Sequence, residues 1–191
     1  PVTIKGRKGD TVVDHDEQPF NANVEKIPAL KPAFRKDGTV TAANSSSISD
    51  GAAALVLMRE SEAEKRALTP LARIVGHSTH SHEPEWFTTA PVDAVKKLLA
   101  KIGWEAGEVD LFEVNEAFAA VPLYFAQELG VDPAKINVNG GSIAMGHPLG
   151  ATGAVLLGTV LDALEDRDLQ TALITLCIGG GMGISTIIER V

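Results

Sequence analysis

Asn139-Gly140-Gly141-Ser142-Ile143-Ala144-Met145-Gly146-His147-Pro148-Leu149-Gly150-Ala151-Thr152-Gly153 is a turn made mostly of small residues around a single imidazole. Glycine admits positive φ and close approach by other backbone, and Pro148 suits the first turn of a helix, where its missing N–H is not needed. His147 is therefore expected on a stiff turn. The run from Leu149 to Arg167 then carries Leu149, Val155, Leu156, Val160, Leu161 and Leu164 at roughly helical spacing, before the charged exit Glu165-Asp166-Arg167-Asp168. The unpaired N–H groups of that helix face the same spot. A plain glycine-rich helix entry holding a hydrogen-bonded histidine has the same pattern, so the turn alone assigns no chemistry.

The 191 residues, 45% of them hydrophobic, are enough to bury a full core, and the length suggests one domain with an appendage. A formal charge of -8 and the lack of any Lys/Arg block argue against nucleic acid as a partner, since phosphate neutralisation dominates such binding. The one cysteine, Cys177, excludes an internal disulfide framework and fits a reducing compartment. No stretch reaches the ~20 apolar residues of a membrane-spanning helix, and no charged-then-apolar leader opens the chain. The expectation is a soluble, cytoplasmic protein with no membrane partner. Because it starts at Pro1 without a Met, a processed or incomplete chain is expected.

The prolines and charges of 1–36 read as an extended arm or excursion loop. Asp14-His15-Asp16-Glu17 reads as a solvated turn, since contiguous turn positions rarely converge on one ion. Thr41 to Gly51 is a hydroxyl-rich loop, able to meet a polar ligand or simply to cap a helix. Ala52 to Met58 predicts a strand buried on both faces. Ser61 with Glu64 predicts a capping box and a helix to about Leu68, ended by Thr69-Pro70. A second strand is predicted from Leu71 to Val75 or on to Ser81. Of His77, His80 and His82, only the last two share a strand face; no carboxylate is placed beside them, so no metal is expected.

Val92 to Ile102 predicts a helix stopped by Gly103, with Val95, Leu98, Leu99 and Ile102 on one side. Val109 to Val114 is the next strand, leading through Asn115-Glu116-Ala117-Phe118-Ala119 into a helix ended by Gly130. Polar residues at such a strand-to-helix switch either carry ligand chemistry or cap the helix. Ile136 to Val138 predicts a short strand. Ala172 to Cys177 and Ile184 to Glu189 form a hairpin around Ile178-Gly179-Gly180-Gly181-Met182-Gly183. The expected fold is α/β, a mixed five-stranded sheet with helices on its faces, with an extended segment at 1–39 ahead of the main domain at 40–191. Asn115, His147 and Cys177 each fall at a strand end or helix start, and backbone amides beside Cys177 suit an oxyanion site. A lone buried cysteine is also often mere packing.

Asn115-Glu116-Ala117-Phe118, Gly146-His147-Pro148-Leu149-Gly150-Ala151-Thr152-Gly153 and Cys177-Ile178-Gly179-Gly180-Gly181 together resemble the signature stretches of the thiolases, the acetyl-CoA C-acetyltransferases. Val40 to Ala54 resembles their coenzyme A loop, and the similarity runs over essentially the whole chain. The resemblance implies the C-terminal half of a thiolase fold plus part of its loop domain. It implies Cys177 as the acid/base at the α-carbon of an acyl-CoA, a task for which a thiol of ordinary pKa ~8.5 needs bias toward thiolate. It implies His147 and a water held by Asn115 at the enolate oxygen, and the Gly179 N–H in a second oxyanion hole. Glu116 would orient these groups. Ser46, Ser47 and Phe118 would line the coenzyme A and pantetheine tunnel, and Phe87 would contact the substrate or coenzyme A.

Two departures stand out. Trp86-Phe87-Thr88-Thr89-Ala90-Pro91 occupies the place of a Gly-x-Gly-Pro-type stretch, and no arginine for the coenzyme phosphates lies near Gln18-Pro19-Phe20. The resemblance further implies that the acylated cysteine belongs to an N-terminal half supplied by a partner chain or a cleaved portion. It implies coenzyme A thioesters as substrates, no permanently bound cofactor, and a complete enzyme that is a homodimer or tetramer. Two other readings stay open: a non-enzymatic acyl-CoA or lipid-binding module of the same fold, and a cysteine hydrolase with Cys177 as nucleophile and His147 as base.

Overall fold

The computed structural model describes residues 1–191, Asn21 by its backbone alone. Its elements are β1 (Val2–Ile4), β2 (Thr11–Val13), α1 (Glu17–Asn21), α2 (Glu60–Lys65), β3 (Ala72–Ser81), α3 (Ala90–Ile102), β4 (Leu111–Val114), α4 (Ala120–Leu129), α5 (Ser142–Met145), α6 (Thr152–Asp166), β5 (Thr171–Ile178) and β6 (Met182–Arg190). The N-terminal arm is a small antiparallel β1–β2 pair followed by α1, which Asp16 caps by accepting from the Gln18 N–H.

The main sheet has the order β3-β6-β5-β4. β4 runs parallel to β5, while β5–β6 and β3–β6 are antiparallel. The sheet is mixed, as expected, but among the described residues it has four strands rather than five. Of the six runs read as strands, two are missing from it. Ala52 to Met58 forms no element and is exposed throughout, with Val56 at 87% and Leu57 at 64%. Ile136 makes only an isolated bridge to Phe112, and Val138 one to Gly140. The predicted capping box of the helix after Arg59 is also absent: α2 starts at Glu60 with no side-chain cap.

Alternation along the strands divides the core into two layers. Phe112, Val114, Leu173 and Ile187 pack with Val92, Val95, Leu98, Val121 and Phe125 beneath α3 and α4. Leu111, Ala172, Ile174 and Ile188 pack with Leu156, Val160, Ala163 and Leu164 of α6. Period-two strands and amphipathic helices impose this three-layer arrangement, because each sheet face needs a helical cover. Gly103 and Gly130 end α3 and α4 as left-handed caps at φ 74° and 63°.

The first turn of α3 presses directly on β6, so that a Cβ at Gly183 would lie 2.5 Å from the Ala90 carbonyl carbon. Gly183→Ala should therefore lower stability by about 1–3 kcal/mol, read as a lower urea midpoint with an unchanged m-value; an unchanged midpoint would refute the close packing described.

Candidate active site

The loop Asn44 to Gly51 lies across the starts of both site segments. The Ser46 N–H donates to the Ala117 carbonyl at 3.2 Å, the Ala119 N–H to the Asn44 carbonyl at 2.9 Å, and the His147 N–H to the Ser47 carbonyl at 2.9 Å. Gly146 sits at φ 95°, where a Cβ would collide with the Ser49 hydroxyl, so the turn before His147 needs glycine on both steric and conformational grounds. The apolar, glycine-rich turn and the hydroxyl-rich loop are thus two halves of one clasp.

The His147 ring is held from both sides. Nδ1 lies 2.7 Å from Thr152 Oγ1, whose hydroxyl is 2.9 Å from the Pro148 carbonyl. Nε2 lies 3.2 Å from Asn115 Nδ2, and Asn115 Oδ1 accepts from the Ser142 hydroxyl at 2.7 Å. One consistent proton arrangement has Thr152 donating to Pro148, Nδ1–H donating to Thr152, and Asn115 donating to Nε2. Rotating the amide and the hydroxyls gives a second, with Thr152 donating to Nδ1 and Nε2 carrying the proton. Burial holds the imidazole pKa below its usual value. The ring is therefore neutral at pH 7, with a proton that can sit on either nitrogen.

Asn115 is 1% exposed at the carboxyl end of β4, its N–H bonded to the Thr175 carbonyl of β5. Glu116 does not enter the cleft. One of its oxygens accepts from Asn137 Nδ2 at 3.0 Å and the other from the Ile143 N–H at 3.1 Å. Gly141 leaves room for this carboxylate, and any Cβ there would overlap it. Glu116 thereby sets the position of α5 and of Ser142, the hydroxyl that orients Asn115. Asn137, held at φ 48°, accepts from the Val114 N–H and donates to the Val114 carbonyl, at 2.8 and 2.9 Å. Asn137, Ser142 and Thr152 were not singled out by the sequence. The only local signal was a polar residue beside each motif.

Cys177 lies at the end of β5, 9% exposed and packed with the core beneath α3. Burial pushes its thiol up to about 11, so the surroundings favour the thiol over the thiolate, opposite to the bias the sequence reading requires of them. His147, Cys177 and Gly179 line one open cleft of about 450 Å³ with Leu149, Leu157 and Leu176. No hydrogen bond joins Cys177 to His147 among the described residues. Asn115 meets the cleft only through His147.

The remaining expected residues lie elsewhere. Ser46 donates to the Ala117 carbonyl at 3.3 Å and Ser47 shares a 3.0 Å hydrogen bond with Ser49. Phe118 packs edge-on against Phe34 at 6.1 Å, and Phe87 rests on the core beneath α3. None of these four lines the cleft. At the N-terminal arm, His15 pairs with Asp14 at 2.7 Å, Asp16 caps α1 and Glu17 is its first residue, so the charged run is a bend that leads into a helix rather than a turn throughout.

Comparison with known proteins accords with this geometry. The family model described as thiolase, C-terminal domain, matches residues 68–190, and that described as thiolase, N-terminal domain, matches 1–61. The chain belongs to the thiolase family. It is 51% identical over 191 residues to an acetyl-CoA acetyltransferase of Paracoccus denitrificans, covering all of this chain and 49% of that protein. It is 50% identical over 193 residues to a cytosolic acetyl-CoA acetyltransferase of Mus musculus, again 49% of that protein. The crystal structure of the Bacillus anthracis acetyl-CoA acetyltransferase superimposes at a TM-score of 0.90 with 45% identity, over all of this chain and 49% of that one. Human mitochondrial 3-ketoacyl-CoA thiolase does so at 0.83 with 37% identity. The chain thus spans about half the length of the relatives it matches.

Glu113, on β4 beside the site, is 1% exposed, and neither carboxyl oxygen has a hydrogen-bond partner among the described residues. Burial first, and the Glu116 carboxylate second, push its pKa up to about 8. The folded protein then holds a proton that the unfolded chain releases near 4.5, so stability is full below 4.5 and falls as pH rises toward about 8. Glu113→Gln should flatten this slope in urea titrations at pH 5, 6.5 and 8; parallel slopes for both proteins would rule the buried neutral acid out.

Proposed function

We propose that this chain is the C-terminal portion of an acetyl-CoA C-acyltransferase, catalysing reversible Claisen condensation and thiolysis between acyl-CoA and acetyl-CoA. The observation that carries the reading is the His147 ring, fixed by Asn115 and Thr152 within a cleft that also holds Cys177 and Gly179. Coenzyme A thioesters are the substrates, and no permanently bound cofactor is invoked. The acylated cysteine comes from an N-terminal half, as Cys177 is the one thiol in the sequence and is used otherwise. The exposed apolar run Leu55 to Met58, with Leu149 at 65% and Ile178 at 39% exposure beside the cleft, suits burial against that half. The complete enzyme is proposed to be a cytoplasmic homodimer or tetramer.

In the cleavage direction, the partner's cysteine takes the acyl group and the departing acetyl-CoA enolate needs a proton at carbon. A thiol raised to about 11 is protonated and so able to give it. In condensation, the resulting Cys177 thiolate, unstable in its apolar setting, takes the α-proton back. The enolate oxygen needs a donor during both steps, and His147 in its Nε2–H form supplies it. Asn115 would exchange one of its two present hydrogen bonds for a water at the same oxygen, and the Gly179 N–H would meet the second oxyanion. Because the donors are preset by the fold, little reorganisation accompanies charge development. Residues 40–191 form the catalytic portion, with 1–39 as a remnant of the loop domain. Ser46, Ser47, Phe118 and Phe87 are assigned to substrate contact only after the missing half closes the cleft.

A cysteine hydrolase is disfavoured by the same geometry: no hydrogen bond joins the His147 ring to Cys177 among the described residues and the thiol is raised, so no base is set to activate Cys177 as a nucleophile.

Acetoacetyl-CoA thiolysis should be absent with this chain alone and appear when the N-terminal half is added. In the reconstituted enzyme, His147→Asn should lower kcat by about 10²–10³ and Cys177→Ser by about 10²–10⁴. Full turnover by the isolated chain, or coenzyme A binding without turnover in the reconstituted enzyme, would overturn the proposal. The second result would point to a binding module.

A further inference from the structure

Beyond the bulge at Ile74 and Gly76, alternate residues face α3 along β3 and at the residue that follows it, and the last two of them are histidines. Ser78 donates to the Ala94 carbonyl of α3, which Ser185 also reaches at 3.1 Å. His80 and His82 follow on the same face, beside Asp93 in the first turn of α3. His80 Nε2 is 3.5 Å and His82 Nδ1 4.0 Å from Asp93 Oδ2. The three ligand atoms all lie within 4.8 Å of one another, and the two rings stand edge to face at 5.2 Å. The sequence offered no carboxylate for this pair of histidines, because Asp93 reaches them only through the packing of α3 on the sheet.

We propose that His80, His82 and Asp93 form a binding site for a divalent transition ion of the zinc class, apart from the thioester cleft and independent of the acyltransfer reading. The second-layer contacts are those a metal-bound imidazole needs. His82 Nε2 lies 2.7 Å from the Trp86 carbonyl and so carries the proton, which leaves the Nδ1 lone pair facing Asp93. Thr89 Oγ1 stands 3.5 Å from the same Nε2.

No lysine or arginine competes for Asp93 among the described residues. Lys97, one turn further along α3, donates instead to the Thr79 carbonyl at 3.0 Å. Around a tetrahedral ion with bonds near ~2.1 Å, ligand atoms sit roughly 3.4 Å apart. The His80–Asp93 separation is already close to this, and the more exposed His80 and Asp93 side chains can close the remainder by torsion toward His82. Two imidazoles and one carboxylate select zinc, cobalt or nickel over magnesium and calcium, and leave an open position for water.

The ion would also tie chain segments together. The His82 N–H donates to the Gly181 carbonyl at 3.0 Å, and His80 pairs with Gly183 across the β3–β6 ladder. An ion on these histidines therefore clamps the β3–α3 connection against the turn that carries Gly179.

The test is a Co²⁺ and Zn²⁺ titration of the chain assembled with its N-terminal half, read by cobalt d–d absorption, calorimetry and thermal unfolding. One equivalent should bind at neutral pH, more weakly as the imidazoles protonate. At a hundredfold excess over Kd it should raise Tm by about 3–5 °C. His80→Asn and Asp93→Asn, both on half-exposed positions, should each weaken binding at least tenfold while leaving metal-free Tm unchanged. If His80→Asn unfolds, Asp93→Asn decides. No binding, binding unaffected by Asp93→Asn, or a thiolate-to-cobalt charge-transfer band that disappears with Cys177→Ala would overturn the assignment.

Discussion

The hydrogen bond between Asn115 and the His147 ring, at 3.2 Å across 32 residues of sequence, is the contact on which the rest of the site depends. It joins the end of a sheet strand to the glycine-rich turn between α5 and α6. Each partner is fixed by a third group, Asn115 by Ser142 and His147 by Thr152. Glu116 and Asn137 then hold the segment that carries Ser142. Every polar group in this chain of contacts has a partner, which is the condition under which a buried network rigidifies a site instead of weakening it.

Burial works on the titratable groups around that network in one direction. It lowers the imidazole of His147 and raises the thiol of Cys177 and the carboxyl of Glu113. In each case the charged form is disfavoured by desolvation. The result is a neutral imidazole, thiol and buried acid at neutral pH, beside an open apolar cleft. Negative charge developing on a ligand in that cleft would meet donors already held by the fold, and preset donors stabilise charge better than ones that must first reorganise.

Much of this was legible in the sequence. The helices from Ala90 and Ala120 ended at Gly103 and Gly130 as their caps required, and the β5–β6 hairpin followed from two β-rich runs around a glycine turn. Asn115, His147 and Cys177 stood out because each is a polar or reactive group at an element boundary. What failed has physical causes. Ala52 to Met58 is apolar enough for a buried strand, but composition states only that a segment needs cover, and the sheet of this chain offers it no neighbour. Ile136 to Val138 was too short to compete with the turn chemistry of Asn137, which spends its side chain on Val114. Ser142, Thr152 and Asp93 were invisible because their roles arise from the approach of distant segments, which periodicity does not encode.

The proposed acyl transfer depends on where a thioester carbonyl would sit. A crystal structure of the chain assembled with its N-terminal half and a non-hydrolysable acetyl-CoA analogue measures this directly. It should show the carbonyl oxygen within hydrogen-bond reach of His147 Nε2, with the methyl carbon facing Cys177 Sγ. A carbonyl bound elsewhere, with the Asn115–His147 contact intact and the cleft empty, would contradict the account.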